Sequence, residues 1–203
     1  MYTYLALGDS YTIGELVPMS GNFPHQLVQR LRQERIEVAE PVIIAKTGWT
    51  TDELAMAIRE HNIHEHFSFV TLLIGVNNQY RGRDIENYKQ EFASLLDQAI
   101  VFANGHTQHV FVLSIPDWGA TPFAVAEGHD PAQAAKGIDA YNEACHAITK
   151  NLGCHHLDIT GSTRANAANA LFLTEDGLHP SAKEYAVWAA RLAPMVIAAL
   201  HKS

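Results

Sequence analysis

Tyr4-Leu5-Ala6-Leu7-Gly8-Asp9-Ser10 is the stretch on which the fold turns. Its first four residues form an apolar run too short for a helix, and it ends on a glycine, an aspartate and a serine. That reads as a buried strand delivering a hydroxyl to the loop at its carboxyl end. The pattern repeats outward from there. Residues 42–45, 69–74, 110–115 and, more weakly, 155–159 read as further strands. Helical patterns fill the intervals at 23–35, 51–60, 84–103, 132–152 and 181–200. In the third of these, Ile85, Tyr88, Phe92, Leu95, Leu96 and Ala99 keep the three- and four-residue spacing of one buried face. The alternation predicts an α/β fold of three layers, α/β/α, around a five-stranded, mostly parallel sheet in flavodoxin-like order. Ligands of such sheets bind beyond the carboxyl ends of the strands. Ser10, Thr47-Gly48, Gly75 with Asn77, and residues 116–118 each follow a strand directly, so they converge on one edge.

The 203 residues carry 14 basic and 22 acidic side chains, a net charge of −8 that argues against a nucleic-acid-binding surface. No repeat or linker divides the chain, and residues 1–203 are expected to form a single domain. No apolar run approaches the ~18 residues of a membrane span, so no integral membrane segment is expected. No basic, apolar leader opens the sequence. The expected location is therefore cytoplasmic, with export open if a leader has been removed. Cys145 and Cys154 read as small buried hydrophobes. His61, His64 and His66 read as a solvated helix end, and no metal site is expected. Nothing in the residues sets the oligomeric state.

A serine hydroxyl needs a base within hydrogen-bond reach and a third group to orient that base. Asp176-Gly177-Leu178-His179-Pro180 supplies both. His179 is the candidate base for Ser10. Asp176, three residues earlier, can face the far ring nitrogen, and Pro180 fixes where the histidine leaves the loop. Acyl transfer also requires donors for a developing oxyanion. The candidates are the Ser10 amide, the Gly48 amide and the Asn77 side chain, each placed where a strand ends. Asp9 reads as the residue that holds the turn after the first strand.

These blocks resemble those of the SGNH, or GDSL, hydrolase family. Leu7-Gly8-Asp9-Ser10 is similar to its first block, Gly48 to its second, Gly75-Val76-Asn77-Asn78 to its third, and Asp176 to Pro180 to its last. They occur in the family's order and span nearly the whole chain. The resemblance implies ester or thioester hydrolysis through an acyl-serine. It gives Ser10 the role of nucleophile, His179 that of base and Asp176 that of orienter, with Gly48 and Asn77 as oxyanion donors. It implies no metal and no organic cofactor. Two positions depart from the pattern. Tyr11-Thr12 replaces the usual Leu-Ser, and Asn78 stands where an aspartate is common.

Trp49, Tyr80, Arg81, Trp118 and Phe123 flank these blocks and are candidates for substrate binding, Arg81 for an anionic group. Residues 116–130 form the longest segment without a regular pattern, as expected of a site wall. The partner so described is a small-molecule ester, either short-acyl or lysophospholipid-like. Acyl transfer to, or deacetylation of, a sugar is the alternative. A non-catalytic binding module on the same fold is the third reading, and the presence of Ser10, Asp176 and His179 together weighs against it.

Overall fold

The computed structural model describes residues 1–201. Its centre is a five-stranded parallel sheet of order β2-β1-β3-β4-β5, with β1 at Tyr4–Asp9, β2 at Val42–Lys46, β3 at Phe69–Leu73, β4 at Val110–Leu113 and β5 at His155–Leu157. The expected flavodoxin-like order is the observed one. Strands β1, β3 and β4 are buried along their whole length, as an interior parallel strand must be, while edge strand β2 is exposed at both ends.

Short α1 (Ser10–Ile13) follows β1 at once, and α2 (Phe23–Gln33) then leads to β2. The chain continues through α3 (Thr51–His61), α4 (Val76–Tyr80), α5 (Ile85–Phe102), α6 (Pro122–Ala126), α7 (Pro131–Asn151), α8 (Thr160–Asn166) and α9 (Ala182–Leu200). With right-handed crossovers, the step from β1 to β2 and the steps toward β3, β4 and β5 place their helices on opposite faces. The contacts agree: α2 packs on α9, whereas α5 packs on α3 and α7. The longer helices begin on side-chain caps. Asn22, Asp84, Asp130 and Ser181 each accept an amide of the first turn, and Thr50 with Glu53 closes a capping box before α3.

Several expectations are refined. Strand β5 stops at Leu157 rather than 159, because Asp158 Oδ1 accepts the amides of Thr160 (2.8 Å) and Gly161 (3.3 Å) and turns the chain into α8. The 116–130 segment is not irregular throughout; it holds a 3₁₀ turn at Trp118–Ala120 and then α6. Cys145 is buried, its thiol pushed up to about 12 by desolvation, but Cys154 is only half-buried; both are free. No helix among the described residues is long and apolar enough to cross a membrane.

Candidate active site

Backbone geometry at the end of β1 is what presents Ser10. A side chain on Gly8 would meet Thr12 Oγ1 at 2.1 Å and the Leu73 carbonyl at 2.5 Å, so only glycine lets α1 start this close to β3. Asp9 is the N-cap of α1, its Oδ1 accepting the Tyr11 amide at 3.0 Å. Burial raises its carboxyl to about 7 against that bond. The turn-holding expectation for Asp9 therefore fits its bonding. Ser10 is the first residue of α1 and is 4% exposed.

From the other end of the chain, residues 173–180 fold back on themselves. Leu173 bridges Pro180, and the Thr174 amide donates to the His179 carbonyl at 2.8 Å. Asp176 Oδ1 accepts the Thr174 hydroxyl (2.7 Å) and the amides of Leu178 (2.9 Å) and His179 (3.0 Å). Its Oδ2 accepts from His179 Nδ1 at 2.6 Å. Partial burial opposes ionisation of Asp176, but these four donors outweigh it and hold the carboxyl at about 2. An ionised carboxylate only accepts, so Nδ1 carries a ring proton, and the neutral ring in this tautomer offers its lone pair at Nε2. Nε2 lies 3.0 Å from Ser10 Oγ. The arrangement can draw a proton off the Ser10 hydroxyl.

Ser10, Gly48, Asn77 and His179 line one cavity of about 200 Å³, together with Tyr11, Thr47, Val76, Tyr80, Trp118, Phe123 and Leu178. Asn77 Nδ2 donates to the Trp49 carbonyl at 2.9 Å and lies 3.5 Å from Asp9 Oδ2. Gly75 sits at φ +127°, where a side chain would strike the Tyr88 ring at 2.7 Å. The turn into Asn77 is thereby restricted to glycine. One wall is aromatic: Tyr80 stands edge-on to Trp118 at 4.9 Å, with Phe123 at 6.4 Å and His129 at 5.6 Å. Trp118 is locked by its indole N–H donating to Gln79 Oε1 at 2.6 Å.

Two of the five flanking candidates fall outside this lining. Trp49 is packed on the core and contributes only its carbonyl, to Asn77. Arg81 turns away to donate to the Gly48 carbonyl at 2.7 Å and to pair with Glu53 at 3.4 Å, so its guanidinium braces the loop. Leu178 and Val76 were missed, although they lie inside the Asp-x-x-His and Gly-x-Asn blocks; Thr47 was placed only by following the second strand, and Tyr11 and His129 had no separate signal. The rings of His61 and His66 donate to the carbonyls of Ala57 and Val101. A larger groove of about 880 Å³ opens at the opposite end of the strands, between residues 105–109 and 194–199, away from Ser10 and His179.

The sequence profile of the GDSL-like lipase/acylhydrolase family matches residues 6–187, a span that contains Ser10, Gly48, Asn77, Asp176 and His179. The chain belongs to this family. As a GDSL-like protein it is a carboxylic ester hydrolase. No curated protein matches the chain by sequence. Solved structures do share its fold. TesA is 20% identical with a TM-score of 0.71, over 98% of this chain and 97% of its own. A lipase/acylhydrolase from Enterococcus faecalis is 16% identical with a TM-score of 0.73, over 97% and 95%. The acetylxylan esterase Axe2 from Geobacillus stearothermophilus is 17% identical with a TM-score of 0.74, over 96% and 94%.

Proposed function

We propose that this GDSL-like protein hydrolyses short-acyl carboxylic esters and thioesters through an acyl-serine on Ser10, the whole chain acting as one domain. The observation that carries the reading is the Ser10–His179–Asp176 chain of bonds, 3.0 and 2.6 Å, opening on a largely apolar cavity of about 200 Å³. Ser10 Oγ attacks the carbonyl carbon as its proton passes to His179 Nε2. The oxyanion is met by the Ser10 and Gly48 amides and by Asn77 Nδ2. As the bond to the leaving group breaks, His179 returns that proton to the departing alkoxide or thiolate. Water then attacks the acyl-serine, gives a proton to His179, and releases the acid as Ser10 recovers its own.

Cavity size argues for the acyl length. At about 30 Å³ per water-sized group, 200 Å³ holds roughly six or seven non-hydrogen atoms. That suits acetyl to hexanoyl groups, and a longer chain would extend past the cavity into solvent. The acetyl group of an acetylated sugar also fits, with the sugar outside the cavity, and Axe2 is an acetylxylan esterase on the same fold. The test is hydrolysis of p-nitrophenyl esters from acetate to palmitate by wild type and Ser10→Ala, with acetylated xylo-oligosaccharide as a second substrate. Ser10→Ala is expected to lower kcat by about 10⁶. Wild-type-like turnover by that variant would overturn the mechanism.

A further inference from the structure

Buried hydrogen bonds around Asn78 have only one possible direction. The Thr51 amide can only donate, and it donates to Asn78 Oδ1 at 3.1 Å. That fixes the side-chain amide, so Nδ2 is the end that faces Thr51 Oγ1 at 2.6 Å, and Nδ2 can only donate too. The Thr51 hydroxyl, accepting there, must send its own proton elsewhere. It sends it to Glu91 Oε2 on α5. Glu91 Oε1 in turn accepts Asn87 Nδ2 at 2.8 Å. Asn78 and Thr51 are both fully buried, so neither can turn to solvent for a partner, and the Thr51 hydroxyl meets half-buried Glu91 at the outer end of the chain of bonds.

These bonds tie together the two segments that hold the oxyanion donors. Asn78 follows Asn77 on α4, and Thr51 lies two residues beyond Trp49, whose carbonyl holds Asn77 Nδ2 at 2.9 Å. A carboxylate at position 78 would accept from both the amide and the hydroxyl of Thr51 and would need no further acceptor. With an amide at 78, the acceptor must lie beyond Thr51.

We propose that Glu91 is a positioning residue for the oxyanion site, acting through the Thr51 hydroxyl and Asn78 to hold Asn77 in register with the Gly48 loop. The inference rests on the reading of Asn77 as an oxyanion donor. It makes Glu91 and residue 78 interdependent: the Thr51 hydroxyl requires one side-chain acceptor oxygen, and either position can supply it.

The experiment measures kcat and KM on p-nitrophenyl acetate for wild type, Glu91→Ala, Glu91→Gln, Asn78→Asp/Glu91→Ala and Asn77→Ala, with thermal melting to confirm folding. Glu91→Ala is expected to lower kcat about tenfold with little change in KM, since a misplaced donor is felt in the transition state. Glu91→Gln keeps a carbonyl acceptor and should stay within about threefold of wild type. The double variant should recover most of the loss, because the carboxylate introduced at position 78 accepts the Thr51 hydroxyl. A Glu91 that merely packs α5 would give no such rescue. Wild-type kcat in Glu91→Ala, or a folded double variant without recovery, overturns the proposal. Asn77→Ala separates the two failures. An unchanged kcat there removes the oxyanion reading itself, whereas a loss of 10²–10³ beside an unaffected Glu91→Ala removes the relay alone. Should Glu91→Ala fail to fold, folded Asn78→Asp/Glu91→Ala with near wild-type kcat supports the proposal, and its failure to fold as well overturns it.

Discussion

Phe123→Ala tests whether the 200 Å³ cavity measures the acyl chain. Each methylene buried in an apolar cavity contributes about 0.8 kcal/mol, which is roughly fourfold in kcat/KM at 1.36 kcal/mol per decade. From acetate to hexanoate there are four methylenes, so the wild type should gain on the order of 200-fold and then level off once the cavity is full. Phe123 is half-buried on α6, packed at the edge of the core on the aromatic wall beside Tyr80. Truncation removes the ring and opens on the order of 100 Å³, room for three or four methylenes at about 30 Å³ each. The plateau should then move toward decanoate. The ratio of decanoate to hexanoate, near one in the wild type, should rise at least about tenfold, short of the full fourfold per methylene because the wall relaxes into part of the space. The assay is initial rates on p-nitrophenyl esters below KM and below their micelle concentrations, with melting curves for both proteins. An unchanged ratio in Phe123→Ala would remove this cavity from acyl recognition. So would a wild-type rate still climbing beyond octanoate.

Two further outcomes follow from the bonding around the site. Asp176→Asn should lower kcat by about 10⁴, because an amide can no longer hold the His179 Nδ1 proton in place; steady-state kinetics on the acetate ester reads this. Asp9 titrates in the folded state near 7 instead of 3.8, because it is buried. The stability associated with its neutral form is thus complete below about pH 4 and lost as pH rises through 7, by roughly 4 kcal/mol from three pKa units. Asp9→Asn, which keeps an acceptor for the Tyr11 amide, should resist urea better than wild type at pH 8 and lose that advantage at pH 4. Parallel urea midpoints in the two proteins across this range would show that burial of Asp9 carries no such penalty.

The alternation of apolar runs and helical faces was enough to give the sheet order, because each strand and long helix repeats its burial pattern over several residues. The elements it missed are those with too few residues to show a period. α1, α4 and α8 have four, five and seven residues. They exist because strand ends turn sharply there, at Asp9, at Gly75 and at Asp158, and not because of a helical stripe. Residues 116–130 looked irregular for the same reason. What orders them is long-range: Gln79 on the Trp118 indole, and the Gly177 carbonyl accepting the Phe123 amide at 3.1 Å. That last bond joins the aromatic wall to the loop between Asp176 and His179, a link that no local pattern carries.

Within the site, legibility followed chemistry. Ser10, Asp176 and His179 could be read because proton transfer demands those groups, and Gly48 and Gly75 because the backbone demands φ of +83° and +127°. The pocket could not be read by proximity in sequence. Trp49 and Arg81 adjoin the Gly48 and Asn77 blocks, yet one packs on the core and the other pairs with Glu53, while Phe123 reaches the cavity from 46 residues beyond Asn77. Asn78 shows the limit most sharply. As a letter in a motif it is an aspartate that has lost its charge. In three dimensions the direction of each hydrogen bond forces the question of where the Thr51 proton goes, and the carboxylate that answers it is Glu91, thirteen residues away on another helix. A motif records which atoms meet the substrate; the polarity of the bonds behind them decides which other residues must change together.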